Sequence, residues 1–310
     1  MTTVLITHPA CLEHDTGPYH PETAERLRAE LAALEAPEFT NLLREAAPMA
    51  TVEQLSRVHP REYVEAILAI RPSLGEPVQL DADTLMSTGS AEAASRAAGG
   101  ACLAVDAVME GWARAAFAAV RPPGHHAEPN RPMGFCLFNS VAVAALHARA
   151  RWGIQRVAVV DFDVHHGNGT QAMFAADPDL FYASSHQSPC YPGTGESWEH
   201  GVADNIVNAP LQPRDGSAAF RAAWSNIILP ALDAFAPGLV IVSAGFDGHV
   251  ADPLAQLRLE TADYAWITDQ LVAVAATHCG GRLVSVLEGG YDLDALAASA
   301  AVHVRGLMRM

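Results

Sequence analysis

Seven stretches of the chain repeat apolar residues at the three- and four-residue spacing of an amphipathic helix, near 22–34, 60–70, 90–110, 140–151, 218–235, 261–278 and 293–307. Between them lie short, almost continuous apolar runs around Val4, Phe117, Val157, Leu180, Leu239 and Leu283. A strand that is apolar at every position is buried on both faces, which requires helices on both sides of its sheet. The alternation therefore predicts an α/β fold, a mostly parallel, doubly wound sheet flanked by helices. Ala- and Leu-rich stripes, including the Ala91 to Ala107 stretch, read as tightly packed helix core. No internal repeat and no Pro/Gly/Ser-rich linker divides residues 1–310, so a single domain is expected.

In open α/β sheets ligands bind just beyond the carboxyl ends of strands, and four of the apolar runs end in residues with chemistry. Val157 to Val160 leads into Asp161-Phe162-Asp163-Val164-His165-His166-Gly167-Asn168-Gly169. Asp163 and His165 are two apart on an extended chain, so their side chains leave one face and can converge on a cation. His166 points the other way and reads as a packed structural histidine. Taken alone, Asp-x-His equally fits a loop that caps the next helix. A second run, Gly238 to Ala244, ends in Gly245-Phe246-Asp247. Asp163, His165 and Asp247 together form a three-ligand set with room for water, the pattern of a catalytic metal. The run Ala116 to Val120 leads into Arg121-Pro122-Pro123-Gly124-His125-His126-Ala127, where prolines end the element and glycine lets the chain turn. Leu283 to Leu287 leads into Glu288-Gly289-Gly290-Tyr291. The histidine pair by itself also fits a surface loop, and the tyrosine a packed turn.

With four such strand ends in this order, the chain resembles the zinc-dependent histone deacetylase family, including histone deacetylase-like amidohydrolases and acetylpolyamine amidohydrolases. The resemblance rests on Tyr19-His20-Pro21-Glu22-Thr23-Ala24-Glu25-Arg26-Leu27, the Arg121 to Ala127 loop, Gly134-Phe135-Cys136, the Asp161 to Thr170 run, Tyr191-Pro192-Gly193-Thr194-Gly195, Gly245-Phe246-Asp247 and Glu288-Gly289-Gly290-Tyr291. These pieces span nearly the whole chain, and the Pro-Pro-Gly-His-His and Asp-x-His-His-Gly-Asn-Gly-Thr-Gln segments are similar to the class II branch. The fold implied is the arginase/deacetylase-like sheet, forming one catalytic domain.

The resemblance implies an amidohydrolase that removes acetyl or other acyl groups from acylated amines, such as acyl-lysine peptides or small acyl amides. It implies zinc on Asp163, His165 and Asp247; Fe²⁺ or Co²⁺ can substitute, because no thiolate selects zinc. His126 is then the proton-transfer base and faces neutral Asn168, whereas His125 donates to Asp161 and is held toward its imidazolium form. Tyr291 donates to the developing oxyanion. A structural potassium ion is implied on Asp161 and Ser184 with backbone oxygens of Asp163, His165 and Ser185. Gly134, Phe135 and Tyr191 correspond to the walls of a narrow substrate channel. Leu254 stands where polyamine-selective members carry a glutamate, which favours acyl-lysine or neutral acyl amides. Acetylpolyamines and small xenobiotic amides or esters remain alternatives. Arginase-type ureohydrolases need further carboxylates for two manganese ions, and Asp247-Gly248-His249 lacks their Asp-x-Asp pair.

Composition adds boundaries. The formal charge of −16, from 35 acidic against 19 basic residues without a basic cluster, argues against nucleic acid as a partner. Five scattered cysteines lack CxxC spacing, so neither a disulfide framework nor a thiolate zinc site is expected. The N-terminus has no basic region before its short apolar run and no segment has the length of a membrane span, which makes the cytoplasm the expected compartment. Assembly into a homo-oligomer is left open.

Overall fold

The continuous apolar runs become the middle of a sheet. The computed structural model describes residues 2–310. In chain order the elements are β1 (Thr3–Thr7), α1 (Ala24–Ala33), β2 (Leu43–Ala46), α2 (Val52–Leu55), α3 (Arg61–Ala69), β3 (Val78–Gln79), β4 (Leu85–Met86), α4 (Ser90–Glu110), β5 (Ala115–Ala118), α5 (Ser140–Trp152), β6 (Val157–Asp161), α6 (Asn168–Phe174), β7 (Leu180–Gln187), β8 (Ile206–Leu211), α7 (Ser217–Ala223), α8 (Leu229–Phe235), β9 (Leu239–Ala244), α9 (Thr261–His278), β10 (Leu283–Leu287) and α10 (Leu293–Leu307). Eight strands form one sheet in the order β2-β1-β5-β10-β9-β6-β7-β8, and every ladder in it is parallel. Strands β5, β6, β7, β9 and β10 are buried at every position. Each Val, Ile or Leu buried there contributes about 1.5 to 3 kcal/mol, which is why these runs settle in the centre. Helices α9 and α10 pack together with α1 against α10, while α4 and α5 form a second pair. No helix among the described residues is long and apolar enough to cross a membrane.

The strand order positions the chemistry. β5, β10, β9 and β6 are consecutive neighbours, so the loops after them, carrying His125 and His126, Tyr291, Asp247, and Asp163 and His165, leave the same edge side by side. Helix starts there are fixed by side-chain caps. Asn139 Oδ1 accepts from Ala142 N (3.0 Å) at α5, and Asp292 Oδ1 from Ala295 N (2.9 Å) at α10.

Short elements such as α2, α6, β3 and β4 lie outside the sequence pattern, and three further departures have a physical reason. The helix expected over 218–235 is interrupted by a π-helical segment, Trp224–Ile228. Pro230 lacks an N–H and its ring would collide with a carbonyl in the preceding turn, so the chain widens there instead of continuing as a regular helix. Strand β2 is exposed along its length and carries Arg44 and Glu45, so it shows no apolar signal. Strand β8 contains Asn208 and Pro210 and lies at the opposite sheet edge, where a missing N–H is tolerated.

Candidate active site

Strand β6 ends at Asp161, and the next turns bring Asp163 and His165 to face Asp247 beyond β9. One ligating atom from each of Asp163, His165 and Asp247 lies within 4.8 Å of the other two, and all three residues are buried. His165 Nδ1 is 3.2 Å from Asp163 Oδ1 and 3.1 Å from Asp247 Oδ2. Ligands about 2.0 to 2.1 Å from a tetrahedral ion stand roughly 3.3 Å apart, so the spacing fits a small divalent cation. The remaining carboxylate oxygens are occupied: Asp163 Oδ2 accepts from Gly289 N (2.8 Å) and Asp247 Oδ1 from Val164 N (2.8 Å). A Cβ on Gly289 would overlap the carboxylates of Asp247 and Asp163. Only glycine permits that approach. Burial first, and then neighbouring Asp163, push Asp247 above the usual carboxylate range. A bound cation relieves this repulsion.

The paired histidines have different partners. His125 Nδ1 donates to Asp161 Oδ2 at 3.0 Å, and Asp161 also accepts from Tyr182 OH (3.1 Å) and Asp163 N (3.1 Å). Burial disfavours the imidazolium, but the carboxylates of Asp163 and Asp161 outweigh it and hold His125 up to about 10. His126 Nδ1 donates to Asn168 Oδ1 at 2.8 Å, while Asn168 Nδ2 is used by Glu128 Oε1 (3.0 Å). Burial, followed by the positive fields of His125 and His165, lowers His126 well below the usual histidine range. Its ring is neutral, with Nε2 left as an acceptor. His166 stays outside this group. It bonds Thr194 Oγ1 (2.7 Å) and Gln171 Oε1 (2.8 Å), and burial brings it down to about 3.

A cavity of about 230 Å³ opens over these groups. Gly134, Phe135, Tyr191 and Leu254 line it together with His126, His165 and Tyr291. Gly134 has φ 55°, and a Cβ there would strike the His126 ring. Tyr291 is set by Asp252, whose Oδ2 accepts its N–H at 2.7 Å, and by Arg26, whose guanidinium lies 4.8 Å from the ring centre. Burial raises the Tyr291 phenol against the pull of Arg26, so it keeps its proton. Ser184 is paired with Asp161 across the β6–β7 ladder. Its Oγ lies 2.9 Å from His186 Nδ1, and Ser185 Oγ accepts from Trp224 Nε1 (2.9 Å).

Four participants carried no legible signal of their role. Asp83 lines the cavity, and its Oδ1 accepts from Gly134 N (3.1 Å) while Thr84 Oγ1 accepts from Phe135 N (3.0 Å). The clip holds Phe135 at φ 70°, a backbone region costly for an aromatic residue. Asp252, Arg26 and Glu288 are the others. An acidic or basic letter in a loop does not reveal that it is buried; the only cue was the position of Arg26 and Glu288 inside motifs.

An open parallel sheet with a carboxylate–imidazole cluster, two differently tuned histidines and a cavity at its strand ends defines an α/β amidohydrolase. The histone deacetylase domain profile matches residues 20–307. The chain is 40% identical, over 91% of its length and 80% of the relative's, to a histone deacetylase-like amidohydrolase of Pseudomonas aeruginosa. It is 39% identical to histone deacetylase 14, chloroplastic, of Arabidopsis thaliana, covering 93% of this chain and 73% of that protein. A probable deacetylase of Archaeoglobus fulgidus is 38% identical, with 95% and 82% covered. The crystal structure of the HDA15 HD domain superposes with a TM-score of 0.91 at 36% identity, covering 99% of this chain and 90% of that one. The chain belongs to the histone deacetylase family and is a hydrolase of amide bonds, with deacetylation of acetylated amines as its reaction class.

Proposed function

We propose that this protein is a zinc-dependent deacylase of acyl-lysine peptides or small acyl amides, working as one catalytic domain. One observation carries the reading: His126, bonded to neutral Asn168, and His125, bonded to the Asp161 carboxylate, stand beside the Asp163, His165 and Asp247 cluster at the floor of one cavity. Zinc held by those three residues, or Fe²⁺ or Co²⁺ in its place, would polarise the acyl carbonyl and acidify a water. His126 Nε2 takes a proton from the attacking water and returns it to the departing nitrogen. Asn168 fixes the ring and leaves its charge state free to change. His125, paired with Asp161, supplies positive charge without giving up a proton. The Tyr291 phenol donates to the oxygen that becomes negative as the amide carbon turns tetrahedral.

Phe135 and Tyr191 guide a thin methylene stem to the floor, and Leu254 offers no charge to a distal ammonium. A potassium ion on Asp161 and Ser184, with backbone oxygens of Asp163, His165 and Ser185, belongs to the same reading, supported by the pairing of Asp161 with Ser184. Five unpaired cysteines among the described residues support work in a reducing cytoplasm. Side-by-side assays of acetyl-lysine peptide, acetylputrescine, acetylspermidine and an aryl acetate test the substrate class. Preference for the peptide is expected; strong selectivity for the acetylpolyamines would replace it with the polyamine reading.

A further inference from the structure

We propose that Glu288 is the positioning residue that fastens the His125-His126 loop to the ligand platform, an inference that rests on the functional reading above. The ladder between β5 and β10 ends where Ala118 pairs with Val286, and the chain beyond it passes through Pro122 and Pro123, which have no N–H to offer. The next two N–H groups, of Gly124 and His125, are buried and would be left without acceptors. Glu288, at the end of neighbouring β10 and fully buried, fills that gap: its Oε2 accepts from Gly124 N at 2.6 Å and His125 N at 3.1 Å. Its Oε1 accepts from the Ser243 hydroxyl at 3.0 Å, on β9.

The backbone around Glu288 binds the other half of the site. Glu288 N donates to Ala244 O (2.9 Å), and Phe246 N donates to Gly289 O (3.0 Å), stitching this turn to the segment that carries Asp247. Gly289 N reaches Asp163 Oδ2 (2.8 Å). Arg26 closes the turn from below, donating to Glu288 O at 2.6 Å. One residue thus sets the distance between the histidines and the ligand cluster, bracing the loop through hydrogen bonds to its backbone rather than contacting substrate. The bond geometry, and not the charge, is what the site needs. Glutamine has the same reach, can accept both N–H groups through one oxygen, and can donate to Ser243 Oγ.

The test is steady-state kinetics of Glu288→Ala, Glu288→Gln and Ser243→Ala in metal-replete enzyme, with metal content and melting temperature measured alongside. The substrate is whichever of acetyl-lysine peptide and acetylspermidine the wild type hydrolyses faster. A displacement of the base by about an ångström costs on the order of 10- to 100-fold, so Glu288→Ala should lose about that much kcat. Its KM should stay within about threefold and its metal content should be unchanged. Glu288→Gln should recover most of the loss. Wild-type kcat in Glu288→Ala, or a Glu288→Gln enzyme as slow as the alanine variant, overturns the proposal. Should Glu288→Ala fail to fold, Ser243→Ala removes a single bond and should cost about two- to tenfold in kcat; no change there is equally decisive. His126→Ala in the same assay separates the two levels. Full activity in it would overturn the functional reading itself, whereas an inactive His126→Ala beside an unaffected Glu288→Ala would overturn the bracing role alone.

Discussion

The floor and the rim of the cavity are built in opposite ways. At the floor, Asp163, His165, Asp247, His125 and His126 are each less than one-tenth exposed, and each is held by hydrogen bonds: His125 to Asp161, His126 to Asn168, Asp247 to Val164 N, Asp163 to Gly289 N and His165 to both carboxylates. At the rim, Tyr191 is 39% exposed and Leu254 38% exposed. Tyr191 meets the floor through ring contact, 5.1 Å from the His126 centroid. Groups locked by several partners perform chemistry that tolerates little displacement. In the proposed reading, groups free at the mouth select what enters and can change without disturbing the reaction.

The largest effect should follow from breaking the floor at its ligands. Asp247→Ala is expected to lose both stoichiometric metal and turnover, while circular dichroism stays native because the cluster lies in a cleft at the strand ends and not in the core. Retained metal and activity would remove Asp247 from the ligand set. Next come the groups that handle protons and charge. Tyr291→Phe removes one oxyanion donor and should lower kcat about 10²- to 10³-fold with metal retained. His126→Ala should be at least as slow.

The pH profile sharpens the contrast between the two histidines. His126 must be neutral to act, and its proton affinity is lowered first by burial and then by charged His125. The acidic limb of kcat/KM should therefore lie below the ordinary histidine range, with little loss between pH 7 and roughly 6.5. His125, raised to about 10, stays charged across that window and should add no limb near neutrality. A limb centred on pH 7 that survives in His126→Ala would assign the titration elsewhere. The smallest effect belongs to the rim. Leu254→Glu should improve kcat/KM for acetylspermidine relative to uncharged acyl amides by about tenfold, the worth of one partly desolvated charge-assisted contact. An unchanged ratio would show that Leu254 does not face the far end of the substrate.

The same division explains what could be read from the chain. That Asp163, His165, Asp247 and the histidine pair would meet at one sheet edge was legible because each follows a continuous apolar run, and such runs form central strands whose ends lie side by side. The Ser90–Glu110, Thr261–His278 and Leu293–Leu307 helices follow their apolar spacing to the residue. Glu288, Asp252 and Arg26 were opaque in role, since a charged residue is read as solvated until the fold supplies partners; burial of Arg26 depends on Glu22, Glu288 O and Gly290 O, brought together from opposite ends of the chain. Asp83 sits between β3 and β4, each two residues long and too short for any periodicity. Strand β2 was hidden by its exposure, and the π-helical segment by the apolar spacing that continues through it.

The most direct test of the account is a metal titration of the stripped enzyme, followed by metal analysis and turnover in the same sample. Activity should rise linearly with added zinc and reach its plateau near one ion per chain, and the Asp247→Ala enzyme should neither bind nor respond. Full activity in the stripped enzyme, or a plateau unaffected by loss of Asp247, would contradict the claim that Asp163, His165 and Asp247 hold the ion beside which His126 works.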